Sequence, residues 1–219
     1  VSHATGRRTL GVILVAVGLL GVAASVAALA TPFWTGAPDM DQAVGIAESF
    51  LRRVGNKDLA IEEVMEFEYN FYVVYYEKST GIGAFEMLID KPGTGGMMGM
   101  MGYGDIRPEQ GPNMMWNTKY GMQGMGGGMM GWGAPRPRNT SVTASISENE
   151  AKQLAQQYLD GALPGARAED VHPFYGYHTI HVEKDGRTYG MLSVNIYTGQ
   201  VWYHNWHGAY IQTREMHTD

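Results

Sequence analysis

The chain has 219 residues, 44% of them hydrophobic and 17% charged, with a formal net charge of −6. It contains no cysteine, which excludes disulfides, thiolate metal sites, iron–sulfur clusters, covalent c-type haem and a cysteine nucleophile. No basic stripe runs along it, which argues against nucleic acid as a partner and against docking on anionic lipid headgroups.

Residues 10–30 read LGVILVAVGLLGVAASVAALA, a run of 21 residues without a charge. As a helix it spans roughly 30 Å, the hydrocarbon thickness of a bilayer. Arg7 and Arg8 precede it, and no basic residue follows until Arg52. The positive-inside rule then gives a single-pass cell-membrane protein with a cytoplasmic tip at 1–9 and an extracytoplasmic body. A cleaved signal peptide ending at Ala28-Leu29-Ala30 is the rival reading. The length of the run and the aromatic pair Phe33-Trp34 just beyond it favour an uncleaved anchor.

A linker (31–38) leads to DMDQAVGIAESFLRRVG. Asp39 and Gln42 form a capping box, and Ala43, Ile46, Ala47, Phe50, Leu51 and Val54 follow helical spacing up to the stop at Gly55. Aromatic and β-branched runs then predict strands near 62–69, 71–77 and 84–90. The same grammar returns at Ser147 and Glu150, with Ala151, Leu154, Ala155, Tyr158 and Leu159 on one helical face and a stop at Gly161. Strands follow near 168–175, 177–184, 188–196 and 200–206, separated by turns at Gly176, Asp185-Gly186 and Thr198-Gly199.

The expected fold class is therefore α+β. An N-terminal transmembrane helix precedes two tandem helix-plus-antiparallel-meander units, 39–93 and 147–207. A Met/Gly-rich insert and linker (94–146) separates them, and a tail (208–219) closes the chain. Each meander is expected to be covered by its helix on one face only.

The capped helix with Ala-x-x-x-Ala-x-x-x-Leu, followed by strands and an Asp/Asn-containing turn ending in Gly, resembles the PepSY domain. The residues that carry the likeness are Ala151, Ala155, Leu159, Tyr177, Asn195, Thr198, Gly199 and Val201, and in the first copy Ala43, Ala47, Leu51, Phe71, Asp90 and Gly93. The first copy lacks the valine after its glycine, and a long insert follows Gly93. The resemblance implies a binding or inhibitory module of the kind found in thermolysin-type propeptides and membrane-anchored proteins. It supplies no catalytic residue.

Residues 93–133 hold ten methionines and fourteen glycines. Thioethers are soft ligands that suit Cu(I). Met97 and Met100, Met98 and Met101, and Met122 and Met125 are spaced so that two sulfurs converge on one ion. Histidines could add nitrogen donors for Cu(II). His178 and His181, three apart on one strand, face opposite sides, as do His204 and His207, so a shared imidazole site requires a cross-strand pair such as His181 with His204. The competing reading is that methionine supplies adaptable packing against a partner. Within the insert, residues 111–121 are not low-complexity. Met114, Met115, Trp116, Asn117, Lys119 and Tyr120 are expected to be ordered and docked, either on a protein partner or as a staple within the chain. Glu62, Glu63, Glu66 and Glu68 read as a solvated strand edge.

No nucleophile elbow, P-loop, dinucleotide fingerprint or zinc-protease helix occurs. The sequence therefore points away from an enzyme. It points to a membrane-anchored extracytoplasmic binding or accessory protein without a cofactor, a subunit of or regulator for a larger membrane or envelope assembly. The alternative is a copper-handling protein that uses the Met-rich loop, with Met97, Met98, Met100, Met101, Met122, Met125, His181 and His204 as ligands.

Overall fold

A computed structural model describes residues 38–93, 106–121 and 146–216. Helix α1 (Met40–Val54) starts on the Asp39/Gln42 capping box and ends at Gly55 in the left-handed region. Strands β1 (Leu59–Phe67), β2 (Asn70–Glu77) and β3 (Gly83–Asp90) form an antiparallel meander. From the insert come β4 (Arg107–Pro108) and the short helix α2 (Pro112–Met115). Helix α3 (Glu148–Ala162) starts on the Ser147/Glu150 box and runs through Gly161, ending at Leu163. Strands β5 (Ala166–Phe174), β6 (Tyr177–Lys184), β7 (Arg187–Asn195) and β8 (Val201–Tyr203) form the second meander, and β9 (Tyr210–Glu215) follows.

These strands correct the expected fold class. The halves are not two tandem helix-plus-meander units. They share one mixed nine-stranded sheet, ordered β8-β7-β6-β5-β3-β2-β1-β9, with β4 paired to β3 off that path. The seam is a parallel contact of β3 with β5 at Gly83↔Phe174. A Cβ at Gly83 would lie 2.5 Å from the Phe174 ring, so only glycine admits that approach. Strand β9 returns to pair with β1, covering the edge that the glutamate run was expected to expose to solvent. Merging removes two open edges and gives each ~60-residue half the larger core it needs. No helix among the described residues is long and apolar enough to cross a membrane. The anchor expected at 10–30 lies outside the described residues.

The expectation of one covered face fails as well. On one face, α1 packs over Val73, Tyr75, Phe85 and Met87, and α3 packs over Ile180, Val182, Leu192 and Val194. The opposite face buries Met65, Phe67, Tyr72, Val74, Leu88, Phe174, Tyr177 and Met191 as one cluster drawn from both halves. The sheet curls to achieve this: Glu63 on β1 lies 3.3 Å from His181 on β6. An unbroken buried run along β2 from Asn70 to Tyr75 is the local mark of a strand covered on both sides.

Candidate metal centre

The curled face holds a buried polar system as well as an apolar one. Its first component is built by the insert. Below Gly83 the strands β3 and β5 diverge, and residues 106–121 fill the gap. Pro108 and Arg107 pair with Met87 and Leu88, and Arg107 clamps Asp90 through bonds of 2.6 and 2.8 Å. Side-chain amides complete the exposed ladder of β3. Asn113 accepts from Glu86 N–H at 3.0 Å and donates to Glu86 C=O at 2.8 Å, and Asn117 donates to Ala84 C=O at 2.7 Å. Two asparagines thus stand in for a strand where none passes. Glu109 N–H donates to Glu86 C=O at 2.9 Å, which fixes the Glu109 backbone over the curled face and sends its side chain inward, fully buried.

The second component comes from the C-terminal side. β8 ends at Tyr203, so His204 to His207 lie on a turn rather than on a strand. The strand-period objection to pairing them therefore does not apply. Both are buried, and both reach Glu109: His204 Nδ1 is 3.2 Å and His207 Nε2 is 3.0 Å from Glu109 Oε1. One ligand atom from each residue lies within 4.8 Å of the others. Neither contact makes a hydrogen bond: His204 Nδ1, His207 Nε2 and Glu109 Oε2 are buried without a hydrogen-bond partner. Trp206 donates to Glu109 Oε1 at 3.3 Å and stacks on His204.

The outer contacts decide which nitrogen carries the proton. Asn70 donates to Trp206 C=O, so its Oδ1 is the atom that faces His207 Nδ1 at 2.8 Å, and Nδ1–H must be the donor. On the other ring, Glu86 Oε1 accepts from the Tyr72 and Thr179 hydroxyls. Thr179 Oγ1 lies 3.1 Å from Ser193 Oγ, which lies 3.0 Å from His204 Nε2, so that whenever Thr179 donates to Glu86 the relay makes His204 Nε2–H a donor to Ser193. In its neutral form each imidazole then turns a lone pair toward the Glu109 carboxylate. Burial holds His207 below the usual imidazole value, reinforced by His204 and Arg107. Three lone-pair donors facing one point repel unless a proton or a metal ion stands between them. Donors about 2.1 Å from a tetrahedral ion are about 3.4 Å apart, close to the 3.2 and 3.0 Å at which His204 and His207 stand from Glu109.

A second group lies at the rim of the same face: Glu63, His172 and His181. His181 Nε2 is 3.3 Å from Glu63 Oε1, and the His172 and His181 rings are 4.7 Å apart. Burial opposes charge on His172, but its contact with Glu62 and the nearby Glu63 raise it to about 9.

The structure thus sends His181 and His204 to different groups instead of pairing them. Met97, Met98, Met100, Met101, Met122 and Met125 lie outside the described residues. In the 111–121 stretch, Asn117 and Tyr120 are buried, Met114, Trp116 and Lys119 are half-buried and Met115 is exposed. Lys119 and Tyr120 both bond Glu77, Thr118 N–H donates to Tyr175 C=O at 2.8 Å, and Trp116 packs edge-on against Trp202. These contacts bind the segment to both halves of its own chain. Sequence reading missed Glu109, which stands in no metal-ligand spacing, and set His207 aside because a strand through 206 would turn it away from His204. The available signal was that Glu109 is one of two acidic residues, with Asp105, in an otherwise Met/Gly-rich loop.

No family model, curated protein or solved structure matches the chain.

Proposed function

We propose that this is a metal-binding protein that holds a divalent transition ion between Glu109, His204 and His207, and that its role is binding rather than catalysis. The reading rests on one observation: two buried imidazoles each bring a ring nitrogen without a hydrogen-bond partner to a single buried carboxylate, while Ser193 and Asn70 hold their other nitrogens. Imidazole and carboxylate donors suit Zn(II), Cu(II), Co(II) and Ni(II). The carboxylate is too hard a donor to favour Cu(I), so the centre differs in chemistry from the methionine set of the insert. The outer partners Asn70 and Ser193 hold the rings in the way second-shell groups do at known centres.

The ion would act as a clasp. Glu109 belongs to the insert, and His204 and His207 belong to the turn before β9. Coordination joins these two segments over the curled face and ties the ordering of the insert to metal occupancy. Burial of all three side chains suits retention more than turnover. Such a protein would present the surface of its insert to a partner only when loaded, consistent with an accessory or regulatory role.

The test is metal content after loading with Zn(II) and gel filtration. Full-length protein is expected to retain an ion that Glu109→Gln loses. Equal retention by the two proteins would overturn the proposal.

A further inference from the structure

Glu63, His172 and His181 share no ligand with the Glu109 centre and come from different strands: β1, β5 and β6. Two β-bulges shape the place where they meet. On β1 the register shifts between Ile61 and Glu63. In a regular strand Glu62 and Glu63 would face opposite sides, yet here Glu62 Oε1 lies 3.3 Å from His172 Nδ1 while Glu63 Oε1 lies 3.3 Å from His181 Nε2. On β5 the register shifts between Ala168 and Val171, so that His172 pairs with Thr179 and sits diagonal to His181. Bulges commonly re-aim side chains beside functional sites.

The polar atoms left over point to a ligand. Glu63 is 1% exposed, and its Oε1 has no hydrogen-bond partner. His172 Nε2 and His181 Nε2 are buried and without a hydrogen-bond partner too. Glu62 takes Nδ1 of His172, which turns Nε2 inward as a lone-pair donor, the carboxylate–histidine arrangement of a metal ligand. Glu215 on β9 pairs across from Glu63 and adds a further carboxylate to the surroundings.

We propose that Glu63, His172 and His181 form a second site for a divalent transition ion, exchangeable where the Glu109 centre is closed. The side chains of His172 and His181 are 21% and 14% exposed, against 0–2% for all three residues at the Glu109 centre. Solvent and chelators therefore reach this site first. Glu62 is a positioning residue that orients His172.

The test uses full-length protein stripped of metal and titrated with Co(II) and then Zn(II), with the Glu109→Gln variant as the background that isolates this site. Glu109→Gln is expected to bind one ion, and Glu109→Gln/His181→Ala none. Glu62→Gln in the same background is expected to weaken binding by about tenfold or more. In unsubstituted protein, Zn(II) between one and two equivalents should shift the ring signals of His172 and His181 in NMR spectra, which keeps the test valid if His181→Ala fails to fold. A Glu109→Gln protein that binds no ion, or ring signals of His172 and His181 unmoved by Zn(II), would overturn the second site. Neither result bears on the Glu109 centre, whose own test is the ion lost on Glu109→Gln.

Discussion

Asn70 and His207, 137 positions apart, are joined by a 2.8 Å hydrogen bond in which the ring Nδ1–H donates to the amide oxygen. That bond turns the other nitrogen of His207 onto Glu109 at 3.0 Å. Replacing Asn70 with Leu removes the acceptor and frees the ring. Metal affinity should fall by about 10- to 100-fold, as it does when outer partners are removed elsewhere. Competition with a chromophoric chelator measures this, and affinity within twofold of the parent would show that Asn70 does not orient the ring.

Asn113 replaces a strand on the open edge of β3. Asn113→Ala leaves Glu86 N–H without its acceptor in a buried position, which costs about 1–3 kcal/mol, while Glu86 C=O keeps the Glu109 N–H. Because Asn113 also donates to Glu109 C=O at 3.2 Å, the variant should lose metal affinity as well as stability. Denaturant unfolding with and without Zn(II) separates the two effects.

Gly176 lies at φ 106°, and a Cβ there would sit 2.1 Å from Trp116 C=O. Gly176→Ala is therefore expected to destabilise by more than about 1 kcal/mol and to push the insert off the second half. Changed fluorescence of Trp116, which packs on Trp202, reports the displacement. An unaltered spectrum and unfolding midpoint would contradict the close docking.

Glu77 gathers Lys119, Tyr120 and Tyr175. Burial opposes its ionisation, yet these partners outweigh burial and hold the carboxyl below its ordinary value of 4.5. A depressed folded-state value means that the stabilisation is fully present above about pH 4.5 and is lost as pH falls through the lower value. Glu77→Gln should flatten that acid limb and leave the neutral limb parallel to that of the parent, as followed by thermal melts from pH 3 to pH 7. An acid limb that persists in the variant would assign it to other carboxylates.

Local grammar made part of this legible. Both capping boxes and the strand turns are written within a few residues, and the structure shows them at Asp39–Gln42 and Ser147–Glu150. Closure of the sheet was not legible. The pairing of Glu63 with Glu215 depends on a chain return of more than 150 residues, and no period within β1 encodes it. The same distance hid the metal centre. Glu109 looks like any polar residue in a loop until β4 seats it on β3. His204 and His207 looked incompatible because the strand was expected to run to 206, whereas it stops at Tyr203 and a turn brings both rings to one side. Likewise the glutamates of β1 looked like solvent-edge charges because β9, which covers that edge, lies far along the chain.

The most direct measurement is anomalous scattering from crystals of the full chain grown with Zn(II), recorded on both sides of the zinc absorption edge. The account predicts a zinc peak about 2.0–2.2 Å from Glu109, His204 Nδ1 and His207 Nε2. Crystals that show these three side chains in the present arrangement, with a proton-bridged contact and no zinc at saturating concentration, would contradict it.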